Sequence, residues 1–119
     1  MNILIVDGVK SVRENISSIC REEGHSPVAV PNGLDGAHYL KTWEGKTDLV
    51  IASQQLPEMD AGQMLRMAGG FLKAPVYILS HGNLCEYGAV AGYIKNYSPG
   101  TLEAVRKVIK EHENRPDQG

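Results

Sequence analysis

Leu49-Val50-Ile51-Ala52 is an unbroken apolar run that stops at Ser53. It is too short for a helix and lacks the alternation of a half-exposed strand, so it predicts a strand covered on both faces. Ile3-Leu4-Ile5-Val6 before Asp7 and Val76-Tyr77-Ile78-Leu79 before Ser80 repeat the form. Strands of this kind belong to parallel α/β sheets, where crossover helices bury both faces. Sites in such sheets form outside the carboxyl ends of the strands. Ser53 and the polar loop after it, which includes Leu56-Pro57-Glu58-Met59-Asp60, are therefore expected at the centre of any site.

The remaining chain alternates. Asn2 to Val6 reads as the first, central strand. A helix follows, with Ser11 as N-cap, Glu14 as its capping-box partner and Gly24 as the C′ residue. Its buried stripe is Val12, Ile16, Ile19 and Cys20, with Arg13, Glu14, Arg21 and Glu22 facing water. Val28 to Val30, flanked by Pro27 and Pro31, suits a strand near a sheet edge. Asn32-Gly33 is a turn, and Leu34 to Trp43 a second helix. Asp48 to Ala52 is the third strand. Ala61 to Ala68 is a short helix stopped by Gly69-Gly70, and Val76 to Leu79 is the fourth strand. Gly92 to Ile94 is a fifth, and Thr101 caps a last helix with Leu102, Val105, Val108 and Ile109 on its buried side. Residues 1–112 form one domain, and 113–119 read as a polar tail or the start of a linker. The fold class is α/β: a flavodoxin-like, doubly wound, five-stranded parallel sheet of order 2-1-3-4-5. That order brings Asp7, Ser53, Ser80 and Lys95 to one edge.

Composition and motifs exclude several function classes. With 119 residues and a formal net charge of −2, the chain is one domain without the basic surface of a nucleic-acid binder. No apolar run approaches a membrane span, and Met1 to Val6 is too short for a signal-peptide core, so a cytoplasmic protein is expected. Cys20 and Cys85 read as reduced core residues. His25, His38, His81 and His112 have no ligand spacing, and no metal site is expected. Asp7-Gly8-Val9-Lys10-Ser11 lacks a phosphate cradle, and no nucleophile–base pair is visible. Neither an enzyme nor a bound cofactor is expected.

In this order and spacing, several pieces together resemble the receiver domain of bacterial two-component response regulators. They are Ile3-Leu4-Ile5-Val6-Asp7, Asn32-Gly33, Asp48-Leu49-Val50, Leu56-Pro57-Glu58-Met59-Asp60, Ser80, and Tyr93-Ile94-Lys95 with Leu102 beyond. The similarity spans residues 2 to about 112. It implies a pocket in which an acidic pair after strand one and an aspartate ending strand three hold Mg²⁺. That aspartate is phosphorylated, and a Ser or Thr and a Lys contact the phosphoryl group. Asp7 matches the first acid, and Ser80 and Lys95 match their positions. Gly8 stands in place of the second acid and Ser53 in place of the phosphorylated aspartate. Asn96 replaces the usual proline, and Tyr97 takes an aromatic position.

The departures carry chemical weight. Mg²⁺ wants several hard anionic oxygens, and one carboxylate is a poor site. A serine hydroxyl needs a base before it can attack, whereas a carboxylate is already ionised. The expectation is a degenerate receiver, or pseudo-receiver, acting in signal transduction as a phosphorylation-independent module that binds a protein partner or adjoining output domain. An Asp7–Lys95 ion pair is expected, with the Ser53 and Ser80 hydroxyls nearby. The interval from Ser80 to Lys95 is short by about two helical turns, so the fourth helix is expected to be a single turn or a loop. His81 at the pocket rim, with Tyr93 and Tyr97 flanking Lys95, are candidate interface residues; the plainer reading is a loop histidine and buried tyrosines. A homodimer is a further assembly that the resemblance allows. The competing readings are a conventional phospho-switch with another acceptor, such as Asp60, and a flavodoxin-like binder outside signalling.

Overall fold

The computed structural model describes residues 1–43, 45–69, 73–80, 90–95 and 100–113. Its strands are β1 (Asn2–Val6), β2 (Ser26–Val30), β3 (Leu49–Ser53), β4 (Val76–Ser80) and β5 (Gly92–Lys95). Its helices are α1 (Lys10–Glu22), α2 (Gly33–Thr42), α3 (Ala61–Ala68) and α4 (Thr101–Glu113). All strand pairs are parallel and the order is β2-β1-β3-β4-β5, as the sequence predicts. The expectation of a short or missing helix between Ser80 and Lys95 falls on residues 81–89, which lie outside the described residues.

Alternating side chains divide the core in two. Ile3, Ile5, Leu49, Ile51, Leu79 and Ile94 pack on Ile16, Ile19 and Cys20 of α1 and on Val105, Val108 and Ile109 of α4. Leu4, Val6, Val50, Ala52, Val76 and Ile78 pack on Ala37 and Leu40 of α2 and on Ala61, Met64 and Ala68 of α3. The strands therefore carry apolar residues without alternation because each face has its own helical layer. Burial pushes the Cys20 thiol up to about 11.

Helix ends follow local chemistry, with corrections. α1 begins at Lys10, so Ser11 lies within its first turn and is not the cap; Val9 holds that position without a side-chain hydrogen bond. At its other end Gly24 adopts φ +85°, while His25 N–H binds the Cys20 carbonyl and Gly24 N–H the Arg21 carbonyl. This pairing is the one that a C′ glycine permits. Asn32 caps α2 by accepting the Asp35 N–H. Asp60 and Gln63 form a reciprocal capping box on α3. Thr101 is the first residue of α4, and its hydroxyl donates to the Lys95 carbonyl (2.6 Å). Leu102 is 40% exposed, because the buried stripe starts only at Val105. The last helix continues through Glu113, whose carboxylate accepts from His25 Nε2 (2.6 Å).

β2 is an edge strand, and Pro27 sits within it, level with Ile3. It fits there because Ser26 N–H already donates to Met1, which leaves the next residue facing away from the sheet. α2 lies close against its neighbours through Gly36: a Cβ there would come 2.7 Å from Met64 Sδ and 3.1 Å from a Val6 methyl.

Two outcomes are expected. Gly36→Ala should destabilise by about 1–3 kcal/mol in denaturant unfolding through overpacking, against a helix-propensity gain of at most about 1 kcal/mol. The raised Cys20 thiol sets a sign at high pH: the unfolded chain releases that proton first, so its contribution is intact below the ordinary value of 9.0 and is lost as pH rises toward about 11. Stability should thus fall less steeply over that window in Cys20→Ala than in the native chain.

Candidate functional site

Register fixes the row of polar residues at the carboxyl edge. Val6 pairs with Ala52, so Asp7 and Ser53 come side by side. Ser53 pairs with Leu79, which puts Ser80 one step further along β4, and Ser80 pairs with Lys95. The backbone ladder runs past the strand ends, from Asp7 N–H to Val30 and from Gln54 N–H to Leu79. Asp7, Ser53 and Ser80 are only 2%, 4% and 2% exposed, whereas Gly8 and Lys95 are exposed. The sheet thus assembles all five sequence-predicted pocket residues along one edge.

Asp7 and Ser53 are engaged locally. Asp7 Oδ1 accepts the Val9 N–H at 2.8 Å, which fixes the turn into α1. The Asp7 carbonyl accepts from the Arg13 guanidinium, also at 2.8 Å. Arg13 is therefore half-buried beside the pocket, not directed wholly to water as its place on the helix suggested. The Ser53 hydroxyl donates to the Gln55 carbonyl at 3.1 Å. Among the described residues the ion pairs are Lys10–Glu14, His25–Glu113, Arg106 with Glu22 and Glu23, and Lys110–Glu23. The expected Asp7–Lys95 pair is not among them. β3 and β4 separate the two strands, about 14 Å at ideal spacing, and the Lys95 side chain is exposed.

The donor set does not fit the Mg²⁺ that the resemblance implies. Asp7 supplies the only carboxylate of the row, and one of its oxygens holds the Val9 N–H. Ser53 aims its proton at the Gln55 carbonyl, so that oxygen already serves as an acceptor. A hexacoordinate hard cation would find too little charge here. Among the described residues no group of three or more His, Cys, Asp or Glu is placed to hold a metal.

The loop between β3 and α3 closes over this edge. Ala61 N–H reaches back to the Gln54 carbonyl (3.3 Å). Inside that ring, Met59 N–H binds the Pro57 carbonyl (2.8 Å) around Glu58, which has φ 72°. A γ-turn with a non-glycine residue at positive φ is rare and strained. The Pro57 ring lies over Gly8, where a Cβ would come 2.9 Å from its Cδ. So the position matched to the second acid lacks a carboxylate, and a side chain added there would meet the Pro57 ring.

Tyr93 lies on edge strand β5, opposite Ile78, and is 37% exposed; it is not the buried tyrosine of the plainer reading. His81, Asn96 and Tyr97 lie outside the described residues. Sequence reasoning missed Arg13 and the buried Gln54. Arg13 had a usable signal, six positions after Asp7 in the first turns of α1. Glu58 had none, since glycine or asparagine is the usual mark of positive φ.

No family model matches the sequence, and no curated protein sequence matches it. Solved structures do match the fold. The receiver domain of the hybrid histidine kinase CckA superposes with a TM-score of 0.81 at 21% identity, covering 94% of this chain and 98% of its own. A response regulator receiver domain from Bacillus halodurans C-125 gives 0.80 at 21% identity, over 94% and 96%. The Vibrio cholerae chemotaxis protein CheY4 gives 0.76 at 19% identity, over 93% and 97%. The chain therefore has the receiver fold.

Glu58→Gly should relieve the turn. Glycine takes positive φ without steric cost, and after its backbone-entropy cost a net stabilisation of about 0.5–1 kcal/mol is expected in chemical denaturation with the cooperativity of unfolding unchanged.

Proposed function

We propose that this chain is a regulatory module of signal transduction that uses the receiver fold as a protein-binding surface and works without phosphoryl transfer. The observation that carries this reading is Ser53. It stands where the resemblance calls for the phospho-accepting aspartate, is 4% exposed, and commits its hydroxyl proton to the Gln55 carbonyl. A hydroxyl attacks phosphorus only when a base removes its proton, and this proton is directed to a neutral carbonyl. Gly8 adds no charge for a metal, and Pro57 lies over it.

On this reading Asp7, Gly8, Ser53, Ser80 and Lys95 form a degenerate pocket with a structural role. Asp7 shapes the entry to α1, and Ser53 ends β3 inside its own loop. The module is not an enzyme and needs no cofactor. Its partner is a protein or an adjoining domain. Contact through β5 would use Tyr93, with His81 and Tyr97 as further candidates, and a homodimer would use the same side.

A phospho-switch through Asp60 is disfavoured by its hydrogen bonds. Its Oδ1 accepts the Gln63 N–H (2.8 Å), and its own N–H donates to the Gln63 side chain (3.0 Å). Phosphorylation there would break the cap of α3. No observation favours a flavodoxin-like binder outside signalling.

The test is an amide NMR titration with Mg²⁺ and then with beryllofluoride, a phosphoryl mimic. Signals of Ser53, Ser80 and Lys95 should not move saturably. Saturable shifts at these residues would show a working metal and phosphoryl pocket and would overturn the proposal.

A further inference from the structure

Two glycines in separate loops make room for the two ends of one strained turn. Gly8, between β1 and α1, faces the Pro57 ring, 2.9 and 3.0 Å from where a Cβ would stand. Gly33, the first residue of α2, faces Met59: a Cβ there would come 2.5 Å from Met59 Cγ and 2.9 Å from its carbonyl oxygen. Between Pro57 and Met59 lies only Glu58, at φ 72° and spanned by the Met59 N–H bond to Pro57.

The turn is also tied at its base. Ala61 N–H binds the Gln54 carbonyl, and Asp60 and Gln63 cap α3 reciprocally. A γ-turn has little freedom of its own, because its short ring fixes the dihedral angles of the central residue. A side chain introduced at Gly8 meets the Pro57 ring, and one at Gly33 meets the Met59 backbone oxygen as well as the more movable Met59 side chain.

We propose that Pro57-Glu58-Met59 is a rigid strut that couples the turn after β1 to the start of α2. A displacement at Gly8, on the rim of the pocket, is passed to Gly33 and so to α2, instead of being absorbed by the loop. The strut rests on this geometry alone and holds whether or not the pocket takes a phosphoryl group. It gives the pocket edge a mechanical connection to the α2–α3 side of the sheet. Packed contacts transmit small displacements in this way because close-packed groups cannot deform smoothly.

Gly8 also has a second neighbour on the route to α2, the Pro31 carbonyl, at 3.7 Å from the same Cβ position. The test must separate the two routes. Unfolding equilibria are measured for Gly8→Ala, Gly33→Ala and the double variant, and again with Pro57→Ala in each. Because both substitutions push the same strut, the double variant's unfolding constant should differ from the product of the single effects by about tenfold, well beyond the spread of independent sites. With Pro57→Ala the two effects should become independent. Additive effects in the native background would overturn the proposal. So would coupling that survives Pro57→Ala, since it would then run through Pro31.

Pro57→Ala alone supplies a readout if the glycine variants do not fold. Pro57 is exposed, and its replacement leaves the core untouched. Amide signals of Asp35 and Gly36, whose N–H groups bind Asn32, should shift along with those of Gly8 and Met59. Shifts confined to Gly8 and residues 56–60 would mean that the loop absorbs the change, and the strut would be wrong.

Discussion

β3 lies between β1 and β4 and under helices on both faces, so none of its five residues reaches water. Each side chain along it must be apolar or find a partner of its own, because an unmatched buried polar group costs roughly 1–3 kcal/mol. Leu49 to Ala52 meet the demand by being apolar. Ser53 meets it by turning its hydroxyl onto its own loop. The helices also depend on this strand: one core layer is laid on Leu49 and Ile51, the other on Val50 and Ala52. The carboxyl edge is therefore the first place along these strands where polar chemistry can occur.

The burial of the central strands explains what was legible in the sequence. Runs such as Ile3 to Val6 and Val76 to Leu79 carry a nearly complete record of their surroundings, and their alternation with helical stripes gave a doubly wound parallel sheet, while its order came from the orders such sheets commonly adopt. Asp7, Ser53, Ser80 and Lys95 could be placed because a parallel sheet lines up its strand ends. Helix starts were less legible. Ser11 looked like a cap, yet the Asp7 carboxylate holds the Val9 N–H and the helix begins early. Leu102 has the right spacing for the buried side of α4 but stands in the first turn, clear of the core. Side-chain pairing across strands was not legible. An Asp7–Lys95 pair agrees with charge and strand order, and distance across two intervening strands defeats it. The packing of Gly8, Gly33 and Gly36 against particular rings and sulfurs has no local signature.

The pocket edge also shows how a polar row stays compatible with folding when it carries a single carboxylate. Two neighbouring carboxylates repel one another, and both must be desolvated when buried. With Gly8 and Ser53 beside Asp7, no such repulsion arises among these three residues. Arg13 on the Asp7 carbonyl and the Ser53 hydroxyl on Gln55 supply hydrogen bonds from within the chain.

The prolines in and just after β2 bear on how this protein behaves among its copies. An outer strand of a sheet presents its free N–H groups to solvent and can recruit another chain. Along β2 and the residue just past it, positions 27, 29 and 31 face outward, since Ser26 and Val30 are turned to β1. Pro27 and Pro31 have no N–H, so Ala29 is left as a single outward donor between two that are missing. A strand from a neighbouring molecule would find the outward carbonyls of Pro27 and Ala29 but only the Ala29 N–H as a donor, an incomplete ladder. The two missing donors thus weaken this edge as a template for sheet-to-sheet aggregation.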